Sequence, residues 1–201
     1  ILHEPNFNLN EKERIAIIGK NGGGKSTLMK ILRGECEIDS GRVIRQNSIS
    51  IEMLAQSPKF NDNLSVKDAL NYELKEIFDA RDEYEKVLAK ISNEHDNPEL
   101  LHRQDELVKF IESKDGWNIE NKIERILDSF GLREYENRLV NSLSGGEIRR
   151  VALGALILKK PDVLLLDEPT NHLYVYMVIF LEEILLENFI LTTQKHLKNS
   201  N

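Results

Sequence analysis

The apolar residues of this chain follow two patterns, and each pattern predicts a different kind of structure. Short runs of branched apolar residues, at 14–18 and 163–167, are typical of buried strands. The stretch 65–95 instead carries an apolar residue every seven positions, from Leu70 to Ile91, which predicts a helix with a short coiled-coil-like stripe. The pattern therefore predicts an α/β domain that is interrupted by a helical segment.

The helical segment is predicted to contain an αα-hairpin. Asn97-Pro98 is typical of a helix cap and first turn, and the leucines after it predict a second helix. A third helix is predicted from Ile119 to Phe130, where Gly131 would end it. We expect the apolar stripes to form the seams between these helices, while a binding surface is the alternative use of such a stripe.

Strand-like runs lie on both sides of the helical segment. Residues 7–9, 38–44 and 49–54 are further strand-like runs in the first part, besides 14–18. In the last part, an apolar helix over 147–160 precedes the strand 163–167. We expect an α/β core in two parts, residues 1–61 and 131–201, with the helical insertion at 62–130.

The composition is that of a globular, soluble chain of 201 residues, 40% hydrophobic and 30% charged. No apolar run approaches the roughly 20 residues that a membrane span needs. The lone Cys36 excludes an internal disulfide and suits a reducing compartment. The net charge of −7 is concentrated in residues 61–131, which hold 10 Lys or Arg and 18 Asp or Glu. That segment therefore lacks the clustered basic residues that direct binding to a phosphate backbone needs.

Residues 19–27, Gly-Lys-Asn-Gly-Gly-Gly-Lys-Ser-Thr, fit the phosphate-binding pattern G-x-x-x-x-G-K-[ST]. They lie between a predicted strand and a predicted helix. The glycines let backbone amides surround a phosphate, and the helix N-terminus adds a partial positive charge. Lys25 is expected to reach the β- and γ-phosphates, and the Ser26 hydroxyl to ligate Mg²⁺. The predicted phosphate-binding residues are Gly19, Lys20, Asn21, Gly22, Gly23, Gly24, Lys25, Ser26 and Thr27.

Further motifs follow in a fixed order. Gln56 comes after the strand-like run 49–54, the sequence Leu-Ser-Gly-Gly-Glu occupies 143–147, and the strand 163–167 ends in Asp167. Asp167 is placed to hold the water shell of Mg²⁺, and the next residue, Glu168, to polarise an attacking water. Adjacent carboxylates with these two tasks indicate phosphoryl transfer.

Together these motifs resemble the nucleotide-binding domain of the ABC ATPase superfamily over about residues 1–190. The resemblance implies a P-loop α/β fold with an ABC-type antiparallel β piece, ATP and Mg²⁺ as cofactors, and ATP hydrolysis. It implies that Gln56 contacts Mg²⁺ and the attacking water. Two such domains pack head to tail, each supplying a signature motif to the other's ATP, so a second ABC domain is implied as a partner. The signature residues would be Ser144, Gly145, Gly146 and Glu147.

Within the superfamily, Thr170-Asn-His-Leu173 and the helical insertion resemble the ABC-F group, in which the insertion is called the arm. The resemblance to an N-terminal ABC-F domain of a bacterial protein implies a cytoplasmic factor that binds the ribosome and acts in translation. Two alternatives stay open. The chain could be the ATP-binding subunit of a membrane transporter, with residues 60–130 docked on a membrane subunit, or a module that binds ATP without hydrolysing it.

Three features depart from the family pattern. Tyr174 stands where the family has an Asp that couples the two sites. His196 falls where the family has a histidine that contacts the γ-phosphate, although Gln194-Lys-His-Leu197 does not match the family's Ser-His-Asp motif. The aromatic residue that stacks on adenine would lie before Ile1. We therefore expect a chain truncated at both ends, with His196 as a candidate catalytic residue.

Overall fold

The computed structural model describes residues 6, 8–10, 13–20, 22–47, 49–54, 58–61, 63–93, 96–167 and 189–195, with only the backbone described for Arg14 and for 189–195. The strands and helices, in chain order, are β1 (Arg14–Gly19), α1 (Lys25–Arg33), β2 (Ile51–Leu54), α2 (Val66–Glu73), α3 (Lys75–Ile91), α4 (Pro98–Ser113), α5 (Ile119–Ser129), α6 (Gly145–Lys159), β3 (Val163–Asp167) and β4 (Phe189–Lys195).

Within these residues the strands form one parallel sheet in the order β1-β4-β3-β2. The first four residues of β3 are buried, as expected for a parallel strand with both faces covered. Gly19 pairs with Lys195, and Asp167 pairs with Thr193. The carboxyl ends of these strands therefore share one edge, where open α/β sheets bind their ligands.

Helix α1 packs against the sheet directly after the glycine loop. Met29 is fully buried and forms a core with Met53, Val163 and Leu165. Gly34 ends the helix with a φ of 90°, and its N–H donates to the carbonyls of Lys30 and Ile31. The burial of one face fixes the position of α1 against the sheet. It thereby also fixes Lys25 and Ser26, the first two residues of this helix.

The chain divides into two compact units, residues 1–59 with 148–201 and residues 60–147. In the second unit α3 and α4 form the predicted hairpin, and the Asn97 side chain accepts hydrogen bonds from the backbone N–H groups of Glu99 and Leu100. This is the expected N-cap, with Pro98 in the first turn. The hairpin seam is formed by Ala80, Val87, Leu107 and Ile111, with Tyr84, Ile91 and Phe110 packed against it.

Residues that follow the third helix also belong to this helical unit. The N–H of Val66 donates to the carbonyl of Arg138 at 3.0 Å, and the N–H of Val140 donates to the carbonyl of Leu64 at 2.9 Å. These bonds hold the segment after Gly131 against the start of α2. The helical unit therefore extends to Glu147. The division of the chain into the three segments 1–61, 62–130 and 131–201 stays a prediction.

The strand predicted at 38–44 is wrong. This stretch has no regular structure, and Ile44 is 78% exposed. Branched residues favour a strand where they pack on a neighbouring strand and a buried face, and here they do neither. Residues 8 and 9 are not in a strand either, and Phe7 lies outside the described residues. The predicted antiparallel β piece is thus not seen in the part of the chain that the structure describes.

The single helix predicted over 65–95 is also wrong in one respect, because it is two helices. The backbone departs from helical geometry at Leu74, whose N–H donates to the carbonyl of Leu70 and whose carbonyl accepts from Ile77 at 2.9 Å. Leu74 itself is only 1% exposed. The apolar stripe therefore continues across the break, which explains why the sequence pattern does not reveal it.

Candidate functional site

The glycine loop between β1 and α1 adopts a backbone shape that requires glycine. Gly22 and Gly24 have φ values of 76° and 87°, in the left-handed region that other residues avoid. The N–H of Gly23 donates to the carbonyl of Lys20 at 3.1 Å, and a Cβ atom at Gly23 would lie 3.0 Å from that oxygen. The loop thus curls tightly, and its tightness depends on three successive glycines.

Lys25 lies inside this curl. Its side chain is buried, at 8% exposure, and its Nζ donates to the carbonyls of Gly19 at 2.9 Å and of Lys20 at 3.1 Å. Lys20 and Thr27 are exposed. A buried ammonium held by loop carbonyls is already oriented, so it loses little side-chain entropy when an anion enters the loop. The contact of Lys25 with the β- and γ-phosphates stays a prediction.

The N-terminus of α1 adds to the positive character of the loop. Gly24 occupies the N-cap without a capping side chain, and the first turn of α1 contains no acidic residue. Backbone N–H groups at such a terminus are natural donors to a phosphate. Loop, lysine and helix terminus together form a cradle for an anion.

An acid from a distant part of the chain lies beside this cradle. The Ser26 hydroxyl donates to Asp167 Oδ2 at 2.5 Å. Ser26 is in the first turn of α1, and Asp167 is the last residue of β3. The structure therefore brings together two of the three residues predicted to hold Mg²⁺, although 141 positions separate them.

These two residues suit magnesium by their chemistry. Hydroxyl and carboxylate oxygens are hard ligands, and Mg²⁺ usually takes only one or two carboxylates, with phosphate and water oxygens completing its shell. Among the described residues no group of three or more His, Cys, Asp or Glu side chains could hold a metal alone.

Arg149 is a site residue that the sequence analysis missed. It lies in the second turn of α6, and its Nη2 donates to the backbone carbonyl of Asp167 at 2.7 Å. No local sequence pattern pairs an arginine on a helix with the end of a strand 18 positions later. The contact exists because of the tertiary arrangement of α6 and β3.

The signature motif forms the start of α6. The Ser144 N–H donates to Glu147 Oε2 at 2.7 Å, and the Glu147 N–H donates to Ser144 Oγ at 3.4 Å. This reciprocal pair is a capping box, and the pattern Ser-x-x-Glu could have predicted it. Gly145 has open space where a Cβ would be, and Ser144 and Gly145 are exposed. The loop is therefore accessible to a ligand from another domain.

Four predicted site residues, Asn21, Gln56, Glu168 and His196, lie outside the described residues. Three of them come directly or within two positions after a strand end. Gln56 follows β2, Glu168 follows β3 and His196 follows β4. Their roles stay predictions.

A strand, a glycine loop closed around a lysine, a helix and an acid at the end of a second parallel strand define a P-loop nucleotide-binding domain. Residues 2–171 match the family described as ABC transporter. The chain belongs to this family and is an ABC ATP-binding domain, as the motifs predict. Within the described residues no helix is long and apolar enough to cross a bilayer.

Curated relatives extend the comparison. The chain is 33% identical over 187 residues to the ATP-binding protein Uup of Haemophilus influenzae, covering 93% of this chain and 28% of the relative. It is 38% identical over 173 residues to the energy-dependent translational throttle protein EttA of Escherichia coli K12, covering 86% of this chain and 31% of the relative. The chain therefore spans about three-tenths of the length of these relatives.

Solved structures show the same fold. The ATP-binding subunit of an ABC transporter matches with a TM-score of 0.68 at 19% identity, over 95% of this chain and 71% of that chain. A complex of the archaeal ribosomal stalk protein aP1 with the ribosome recycling factor aABCE1 matches with a TM-score of 0.58 at 25% identity, over 94% of this chain and 29% of that chain. The α/β fold class is confirmed.

Proposed function

We propose that this chain binds ATP with Mg²⁺ and hydrolyses it when paired with a second ABC domain. The observation that carries the proposal is the contact between Ser26 and Asp167 next to the buried Lys25. A phosphate cradle alone would serve many anions. A hydroxyl and a carboxylate placed together at its rim suit the metal ion that accompanies a nucleoside triphosphate.

Each residue at the cradle has a task in this proposal. Lys25 and the loop amides bind the β- and γ-phosphates and hold them in one orientation. Ser26, Gln56 and Asp167 would hold Mg²⁺, which neutralises charge on the phosphate oxygens when it is bound. Glu168 orients the water that attacks the γ-phosphate and accepts its proton.

His196 is proposed as a further contact to the γ-phosphate. Support for it comes from the backbone register, since Lys195 pairs with Gly19. His196 is the next residue in the sequence after Lys195, and the glycine loop leaves the strand that pairs with Lys195. Its position in sequence thus suits the role, although the surrounding sequence departs from the family motif.

The partner of the site is proposed to be a second ABC domain in the same protein or in another copy. The capping box leaves the Ser144 hydroxyl proton able to donate, because its oxygen accepts from the Glu147 N–H. The accessible start of α6 then offers a hydroxyl, Gly145 and Gly146 to a γ-phosphate bound elsewhere.

Turnover of Mg²⁺-ATP by this chain, measured over a range of protein concentrations, tests the proposal. We expect a rate that rises more than linearly with concentration, because two copies complete each site. Glu168→Gln should retain ATP binding and lose on the order of 10²-fold in turnover, as for a lost general base. Unchanged turnover in this variant would remove Glu168 from its role. ATP binding without any turnover would instead favour a non-hydrolysing module, which Tyr174 makes a specific second candidate.

For the whole protein we propose a cytoplasmic, ribosome-associated role of the ABC-F type. The support is that one relative is named as a translational throttle protein and one structural neighbour as a ribosome recycling factor. The alternative is the ATP-binding subunit of a transporter, since one structural neighbour has that title. Co-sedimentation of the full-length protein with ribosomes in the presence of ATP supports the first role. Recovery with a membrane subunit, without ribosome binding, would support the second.

A further inference from the structure

Glu147 holds the signature serine at two points. The Ser144 N–H donates to Glu147 Oε2 at 2.7 Å, and Ser144 Oγ accepts from the Glu147 N–H at 3.4 Å. Ser144 is exposed, whereas Glu147 is half-buried. The main chain and the hydroxyl oxygen of an exposed serine are therefore both tied to one residue of α6.

The chain on the other side of Ser144 is anchored by burial. Val140 and Leu143 are buried, and the N–H of Leu143 donates to the carbonyl of Val140 at 3.1 Å. Between Ser144 and Glu147 stand two glycines, which have no side chain that could hold the loop. Glu147 is thus the first residue on the helix side whose side chain can fix Ser144.

The chemistry of Glu147 limits what it can do for a bound nucleotide. An ionised carboxylate only accepts hydrogen bonds. Phosphate oxygens also accept and carry charge of the same sign, so a direct contact between Glu147 and a γ-phosphate would be repulsive. The Ser144 hydroxyl can donate, so Glu147 can assist a γ-phosphate contact by orienting this donor.

We propose that Glu147 is a positioning residue, which holds Ser144 in the orientation where its hydroxyl donates to a γ-phosphate bound by a second ABC domain. The proposal rests on the proposed function, and it gives Glu147 a task that differs from binding the nucleotide itself. The carboxylate acts through the hydrogen bond that it accepts, and its charge is not needed for this. Glutamine can accept the same bond, because the capping box takes either residue at this position.

The first test compares three variants of this chain by turnover of Mg²⁺-ATP and by the Kd of ATP. Glu147→Ala removes the acceptor, Glu147→Gln keeps an acceptor without the charge, and Glu134→Ala removes an exposed acid of the same unit. We expect Glu147→Ala to lower turnover about tenfold, as for one lost hydrogen bond to a charged group, while the Kd changes less than about twofold. Glu147→Gln should recover most of the rate, and Glu134→Ala should match the unaltered chain.

A mixing experiment separates positioning in the pair from general destabilisation. Glu147→Ala keeps its phosphate loop, and Lys25→Ala keeps its signature motif, so a mixed pair contains one site with both parts intact. The mixture should therefore turn over faster than the sum of the two variants measured alone. Ser144→Ala mixed with Lys25→Ala is the matched control, because it removes the signature donor directly.

The outcomes distinguish this inference from the function on which it rests. A gain in the Ser144→Ala mixture without a gain in the Glu147→Ala mixture would overturn the positioning role alone. Turnover of Glu147→Gln as low as that of Glu147→Ala would do the same. Absence of a gain in both mixtures, or of turnover in the unaltered chain, would contradict the proposed pairing and hydrolysis, and this inference with them.

Discussion

The Ser26 hydroxyl donates to Asp167 Oδ2 at 2.5 Å, which joins the first turn of α1 to the end of β3. The contact links the phosphate loop to the first of two adjacent carboxylates. Because β4 lies between β1 and β3 in the sheet, the loop and the acid come from strands that are not neighbours. We expect the terminal phosphates and Mg²⁺ at the carboxyl edge of the sheet, between the glycine loop and Asp167.

Removal of the Ser26 hydroxyl should raise the concentration of Mg²⁺ that ATP binding requires. A hydrogen bond to a charged group contributes about 1.5 kcal/mol, which corresponds to about a tenfold change in an equilibrium constant. We therefore expect Ser26→Ala to raise the Mg²⁺ concentration for half-maximal ATP binding about tenfold. Titration of Mg²⁺ at fixed ATP measures this, with the exposed Ser40→Ala as the matched control. Equal Mg²⁺ requirements in both variants would exclude Ser26 as a ligand.

The phosphate loop and the sheet could be predicted because their causes are local. Glycines at 22 and 24 are needed for left-handed backbone, and the apolar run of β3 is needed for burial on both faces. The bond between Arg149 and Asp167 could not be predicted, since it depends on how α6 meets the sheet. The strand predicted at 38–44 is wrong because local propensity was not enough. Its residues have strand propensity, but in the described structure they pair with no other strand.

A buried glycine in the helical unit should tolerate no side chain. A Cβ at Gly116 would lie 2.7 Å from Ile77 Cγ2 and 3.0 Å from Ile111 Cγ2. Forcing a methyl group into such packing costs about 1–3 kcal/mol. We expect Gly116→Ala to lower the free energy of unfolding by this amount, as measured by urea denaturation. Gly145→Ala, where no atom lies within 4 Å of the new Cβ, is the control. Equal losses in both variants would contradict the packing seen around Gly116.

The ion pairs around Arg133 should make the helical unit sensitive to acid. Hydrogen bonds from Lys67 and Arg133 lower the pKa of Glu124, and the hydrogen bond from Arg133 lowers the pKa of Asp128. A lowered pKa in the folded state contributes stability that is complete above the ordinary carboxylate pKa of about 4. This contribution is lost as the pH falls through the lower folded values.

Arg133→Met should therefore flatten the fall in stability below about pH 4, because the pKa of Asp128 returns towards its ordinary value. Urea denaturation at several pH values measures the slope. Lys90→Met removes an exposed positive charge from α3 and should leave the slope as it is. An identical slope in the unaltered chain and in Arg133→Met would mean that the ion pairs of Arg133 contribute nothing to the pH dependence of the stability.

The central claim, that the loop of residues 19–27 binds the phosphates of ATP, is tested most directly by equilibrium binding of Mg²⁺-ATP to Lys25→Ala and Lys20→Ala. Both variants lose one lysine side chain from the same loop, but the Lys25 ammonium lies inside the curl, whereas the Lys20 side chain is exposed. The contribution predicted for Lys20 is its backbone N–H, which alanine retains. Two charged hydrogen bonds to phosphate contribute about 3 kcal/mol, or on the order of 10²-fold in Kd. We predict that Lys25→Ala weakens binding by this factor while Lys20→Ala binds within about twofold of the unaltered chain. Equal affinities in Lys25→Ala and the unaltered chain would contradict the account.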